Sequence, residues 1–136
     1  MSKLIIHTDG GSRGNPGPAG IGAVFSDERG IVKKEISEYI GKATNNQAEY
    51  TALVRALEEA QNLGAKEVQI VMDSELIVKQ LKQEYKVKNK DLAAFFAKAW
   101  NLLNRFDKWS VKHVPREKNK RADELVNKAL DKKTTS

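Results

Sequence analysis

The apolar positions change period several times along the chain, and each change marks an element. Residues 4–9 form a short apolar run that ends on an acid, Asp9. It gives way to a stretch with glycines at 10, 11, 14 and 17 and prolines at 16 and 18, which reads as strand followed by loop. Residues 20–26 and 31–40 read as two further strands joined across Asp27, Glu28, Arg29 and Gly30, a tight-turn sequence, so the first three strands predict an antiparallel meander. Between residues 46 and 63, Leu53, Ala56, Leu57, Ala60 and Leu63 recur at helical spacing, and Gly64 supplies the stop. Residues 68–72 read as a strand, 74–83 as a helix and 86–90 as a polar loop. Residues 92–104 read as a helix with Ala93, Phe96, Ala97, Trp100 and Leu103 inward, 109–114 as the fifth strand and 120–130 as the last helix. This order predicts an α/β fold: a five-stranded mixed sheet, the antiparallel meander plus two parallel strands, with flanking helices. Right-handed crossovers set the later strands parallel to the first. One domain is expected over residues 1–131, with 132–136 as a frayed tail.

Composition narrows the partners. A net charge of +6 on 136 residues favours a polyanion. No apolar run approaches the roughly 20 residues of a membrane span, and no secretory signal is read ahead of Leu4. The chain has no cysteine, which excludes disulfides and thiolate metal sites and suits a reducing compartment. The expectation is a cytoplasmic monomer without a membrane partner, in which any metal is held by oxygen or histidine.

Four acids then stand out by position. Asp9 and Asp73 each close a strand that the topology makes parallel and neighbouring, and ligands of such sheets sit beyond those strand ends. Each acid also has a plain structural role open to it. Asp9-Gly10 is a turn signal. Asp73-Ser74 can cap a helix. Asn46 and Glu49 have capping-box spacing, and Asp123, bordering the stripe of Ala122, Leu125, Val126 and Ala129, suits the dipole of a first helical turn. Glu49 shares its helical stripe with Leu53, Ala56 and Leu57, where an acid is costly to bury alone, so it is expected to face a cation. Four acids without cysteine make a candidate site for hard cations.

The segments TDGGSRGNPGPAGIGAV, ATNNQAEYTALVRAL, VQIVMDSELIVKQL and VKHVPREKNKRADELVNKAL resemble the type 1 ribonuclease H family, in order and spacing, over nearly the whole chain. The resemblance implies an endonuclease that hydrolyses the RNA strand of RNA-DNA hybrids and leaves 5′-phosphate and 3′-hydroxyl ends. It implies Asp9, Glu49, Asp73 and Asp123 as catalytic ligands of two Mg²⁺, with Mn²⁺ as a substitute: Asp9 and Asp123 on the ion that positions water, and Asp9, Glu49 and Asp73 on the ion beside the departing oxygen. Gly10, Gly11, Ser12, Asn45 and Asn46 are implied to meet the RNA strand, where 2′-hydroxyls distinguish RNA from DNA, and Asn15 is a short polar side chain of the type that reads them. Lys42, Thr44 and Asn89 are implied to meet DNA phosphate. His113 matches the family's mobile histidine only through a short loop, and Arg116 is its candidate replacement. Double-stranded RNA is a second candidate partner. The chain departs from many bacterial members by lacking a long basic protrusion between the third and fourth motifs, and no separate hybrid-binding domain is read at its amino end. Trp100 and Trp109 read as core rather than as base-stacking platforms. Two other readings stay open: a nuclease of related fold, and a non-catalytic module that binds hybrid or double-stranded RNA.

Overall fold

Three strands leave the amino end, each turning back on the last: β1 (Lys3–Ser12), β2 (Gly17–Ser26) and β3 (Val32–Ala43). The computed structural model describes residues 2–135, with side chains through Lys132. The turn from β2 to β3 is made by Asp27, whose carboxylate accepts the amides of Arg29 and Ile31 at 2.9 and 3.0 Å. After helix α1 (Asn45–Asn62), strand β4 (Glu67–Met72) enters beside β1 and parallel to it. Helices α2 (Glu75–Leu81) and α3 (Lys90–Leu103) lead to β5 (Lys108–His113), parallel to β4, and the sheet order is β3-β2-β1-β4-β5. A short 3-10 turn (Arg116–Lys118) precedes α4 (Lys120–Thr135). The predicted topology is the observed one.

Alternation along β2 sorts the sheet's two faces. Ile21, Ala23 and Phe25 join Leu4, Ile6 and Ile70 in the core under Tyr50, Leu53 and Leu57 of α1. Each fully buried Leu, Ile or Phe among them contributes about 1.5–3 kcal/mol on burial. The opposite face receives Ala122, Leu125, Val126 and Ala129 of α4. That helix lies so close that a Cβ at Gly22 would stand 2.4 Å from the Ala122 carbonyl oxygen, so glycine is required there.

Several local expectations are corrected. The glycine-rich stretch read as loop is mostly strand, because β1 runs to Ser12 and β2 begins at Gly17. In α3 the buried residues are Leu92, Ala99, Leu102 and Leu103, while Ala93 and Ala97 are exposed. The inward stripe is rotated by about one position from the predicted one, and Asn89 rather than a later residue caps the helix. Trp100 and Trp109 are half-buried and meet edge to face with ring centroids 5.6 Å apart. The backbone of α4 continues as helix through Thr135 instead of ending at Leu130.

Candidate active site

β1 and β4 stay paired as far as His7 and Val71 and then part, as parallel strands do at the crevice of an open sheet. Asp9 lies on β1 just past the split, and Asp73 follows β4 directly. A third acid is brought in by contact of backbone with backbone. A Cβ on Gly10 would fall 2.3 Å from the Ala48 carbonyl carbon and oxygen, so only glycine lets β1 touch the first turns of α1. There the Gly10 amide donates to Glu49 Oε1 at 2.7 Å. Asp9, Glu49 and Asp73 consequently present carboxylate oxygens within 4.8 Å of one another.

Two of the structural roles open to these acids are filled by their neighbours, and a third is absent. Thr44 caps α1: its Oγ1 accepts the Gln47 amide at 3.1 Å, and Gln47 Oε1 accepts the Thr44 amide at 3.0 Å. The capping box is therefore Thr44 with Gln47, not Asn46 with Glu49. Ser74 caps α2 by accepting the Ile77 amide at 3.3 Å, which releases Asp73 from that duty. Asp9 lies in a strand paired with Gly22 and does not make a turn. Asp123 does occupy the first turn of α4, where the helix dipole suits it, and it also faces the same cleft.

Burial and mutual repulsion dominate the electrostatics. Asp9 is 7% and Glu49 8% exposed. Burial first, then the charges of Asp73 and Asp123, push the Asp9 carboxyl up to about 7. Burial, then Asp9 and Asp73, hold Glu49 well above the ordinary carboxylate range, against the opposing bond from the Gly10 amide. The groups acting on Glu49 are two acids and the Gly10 amide, and among the described residues no basic side chain takes the place of the cation expected to face it. Arg116, which lines the cleft, holds its guanidinium 3.5 Å from Asp123. The negative charge at the centre is thus left for an ion from solution, and a donor set made only of carboxylate oxygens fits a hard divalent cation.

The acids line a cleft of about 360 Å³ together with Gly10, Gly11, Ser12, Asn45, Asn46 and Arg116. Its rim is stitched before any ligand arrives. Ser12 donates its amide and its hydroxyl to Asn45 Oδ1 at 2.8 and 3.0 Å, and the Asn45 amide donates to Asn15 Oδ1 at 3.1 Å. Asn15, Thr44, Asn46 and Asn89 line a second pocket of about 230 Å³. Asn89 Oδ1 caps α3 by accepting the amides of Asp91 and Leu92 at 2.8 and 3.3 Å. Two sequence-predicted residues lie apart: Lys42 is exposed on β3, and His113 is exposed at the end of β5, where it acts electrostatically on Glu75; neither lines either pocket. The sequence reading overlooked Arg13, which lines the cleft and pairs with Asp131 at 2.5 Å, and Asn119, which is buried behind the acids. The only signal for Asn119 was an asparagine just ahead of a helix, four residues before Asp123.

A family model described as reverse transcriptase-like matches residues 7–129. The ribonuclease HI of Halobacterium salinarum is 48% identical over 129 residues, which is 95% of this chain and 65% of that protein. A bifunctional protein of Mycobacterium tuberculosis is 45% identical over 130 residues, covering 95% of this chain and 36% of its own length. The chain thus spans about a third of one relative and about two thirds of the other. Among solved structures, LC11-RNase H1, isolated from compost and held in complex with an RNA/DNA hybrid, is 54% identical with a TM-score of 0.92, over 96% of this chain and 99% of that one.

Proposed function

This chain belongs to the type 1 ribonuclease H family, and on that premise we propose that it hydrolyses the RNA strand of RNA-DNA hybrids, leaving 5′-phosphate and 3′-hydroxyl ends. The observation that carries the reading is the convergence of Asp9, Glu49 and Asp73 within 4.8 Å with no basic side chain among them. Asp123 joins from the facing helix to complete the set, which suits two Mg²⁺ or, as a substitute, Mn²⁺. Asp9 and Asp123 would hold one ion, and Asp9, Glu49 and Asp73 the other. When bound, such ions generate a hydroxide near neutral pH and relieve charge on the departing oxygen.

The chain's own groups do the rest. Burial and the neighbouring acids hold the Asp9 carboxyl up to about 7, so a cation competes there with a proton and cation uptake strengthens as pH rises through that range. Gly10, Gly11, Ser12, Asn15, Asn45 and Asn46 meet the 2′-hydroxyl side of the RNA strand, and the Ser12 bonds fix the Asn45 amide in advance. Lys42, Thr44 and Asn89 take phosphates of the DNA strand. Arg116, which lines the cleft, assists turnover in preference to His113, which does not. Residues 1–131 form the catalytic domain, acting as a monomer in the cytoplasm. This placement agrees with the absence of cysteine, and no helix among the described residues is long and apolar enough to cross a membrane.

Labelled hybrid, double-stranded RNA and duplex DNA incubated with the protein in Mg²⁺ or Mn²⁺ test the reading. The hybrid is expected to be cut in its RNA strand and duplex DNA left intact, and the double-stranded RNA arm decides whether that partner is also a substrate. Comparable hydrolysis of duplex DNA would favour a related-fold nuclease, and binding of hybrid without cleavage a non-catalytic module.

A further inference from the structure

Behind the acids, one buried side chain spans the gap where the sheet opens. Beyond the pairing of His7 with Val71 the ladder between β1 and β4 ends, and the Met72 carbonyl is taken by the Val114 amide on the β5 side. The Thr8 carbonyl, which directly precedes Asp9, accepts instead from Asn119 Nδ2 at 2.9 Å. The same nitrogen donates to Asp73 Oδ2 at 3.2 Å. On its own backbone Asn119 accepts the Asp123 amide at 3.2 Å and donates to the Arg116 carbonyl at 2.9 Å. One residue, 2% exposed, is therefore bonded to the strand that carries Asp9, to Asp73 itself and to the helical turn that carries Asp123.

The orientation of that amide has a cost that helix capping does not explain. An asparagine ahead of a helix ordinarily turns its oxygen to the first-turn amides. Asn119 Oδ1 is buried and finds no hydrogen-bond partner among the described residues. An unsatisfied buried carbonyl is unfavourable, and here it accompanies the turning of Nδ2 towards Thr8 and Asp73. Resting on the ribonuclease reading above, we infer that Asn119 is a positioning residue. It fixes the spacing of Asp9, Asp73 and Asp123 so that their carboxylates meet a divalent cation in one arrangement. It touches neither substrate nor reacting atoms.

Purified wild-type, Asn119→Ala and Asn119→Asp proteins decide the point by steady-state cleavage of hybrid, by titration of Mg²⁺ against activity, and by the rise in melting temperature that Mg²⁺ produces without substrate. Removing an outer partner of a ligand of this kind typically loses about 10- to 100-fold in metal affinity or activity. Asn119→Ala is expected to lower kcat about tenfold, leave KM for hybrid within about twofold, raise the half-saturating Mg²⁺ about tenfold and shrink the Mg²⁺-induced rise in Tm. Asn119→Asp keeps the volume, but it turns an oxygen towards the Thr8 carbonyl and the Asp73 carboxylate; its kcat is expected to fall further than that of the alanine variant. The inference is overturned if a cooperatively melting Asn119→Ala keeps kcat and Mg²⁺ requirement within about twofold of wild type. It is equally overturned if the loss lies in KM alone, which would make Asn119 a substrate contact. Should Asn119→Ala show no cooperative melt, a near-normal kcat in Asn119→Asp overturns it. If wild type cleaves no hybrid, the ribonuclease reading fails, while the Mg²⁺-induced rise in Tm of wild type against Asn119→Ala still decides the role of Asn119.

Discussion

Two polar pockets lie side by side on this molecule, sharing Asn46, and they are built on opposite principles. The larger is made of acids at strand ends, buried and crowded until Asp9 and Glu49 are held well above their ordinary titration range. The smaller is made mostly of amides and a hydroxyl that already serve the fold, Thr44 as cap of α1 and Asn89 as cap of α3. A cap can face a ligand while satisfying a helix. A cluster of carboxylates repels itself until a cation arrives. Chemistry and grip should therefore be separable by mutation, the first falling with the acids and the second with the neutral pocket and its basic neighbours.

The largest effect is expected at the acids. Asp73→Asn should lower single-turnover cleavage by roughly 10³-fold or more, the scale of several kcal/mol of lost charge stabilisation. Hybrid affinity in a binding titration should stay within several-fold, because phosphate contacts elsewhere supply it. Near-normal turnover would remove Asp73 from the site. The edge of the same cleft gives the next effect. Arg116→Ala should slow turnover by about tenfold, below the roughly 10²–10⁴ of a full acid-base group, while His113→Ala stays within about twofold. The reverse order in matched kinetics would return the role to the histidine.

Repulsion in the acid pocket also has a pH signature. Asp9 is raised to about 7, so between the ordinary carboxyl range near pH 4 and pH 7 the folded chain keeps a proton that the unfolded chain has lost. In EDTA, stability contributed through Asp9 therefore falls as pH rises across that window. Asp9→Asn removes that part of the dependence. It should melt at least about 4 °C above wild type at pH 8, the shift that roughly 1 kcal/mol gives in a domain of this size, and show little advantage at pH 3. Saturating Mg²⁺ should narrow or reverse the difference at pH 8. A calorimetric series in which the two proteins keep a constant offset would contradict the crowded-acid account. The smallest effect belongs to the basic neighbours: Lys42→Ala should weaken hybrid binding a few-fold and flatten its salt dependence by about one unit of slope or less, leaving RNA-strand selectivity unchanged.

Topology was legible in the sequence because hydrophobic period and turn chemistry report it directly, as in the meander closed by Asp27 and Gly30. The four acids stood out because Asp73 and Asp123 sit at element ends and Asp9 and Glu49 fall in otherwise apolar stretches. What stayed hidden depends on contacts distant in sequence. Gly10 looks like loop composition, yet it is a strand residue whose missing Cβ admits α1. Phase in α3 slipped by a position because alanines suit both faces of a helix, and which of them is covered is decided by where α3 docks. Asn119 was invisible for the same reason: its partners, Thr8 and Asp73, are 111 and 46 residues away.

The contact of Trp100 with Trp109 has a spectroscopic consequence. These are the chain's two tryptophans, one on α3 and one on β5, and neither lines the acid cleft or its neighbour. Their edge-to-face geometry couples the two indole transitions, so the far-ultraviolet dichroism should carry a split band that disappears when α3 lifts from β5. Intrinsic fluorescence then reads the same docking, and it should change little when a cation or a nucleic acid fills the cleft. The molecule carries a built-in optical gauge of its helical flank that is nearly blind to its active end.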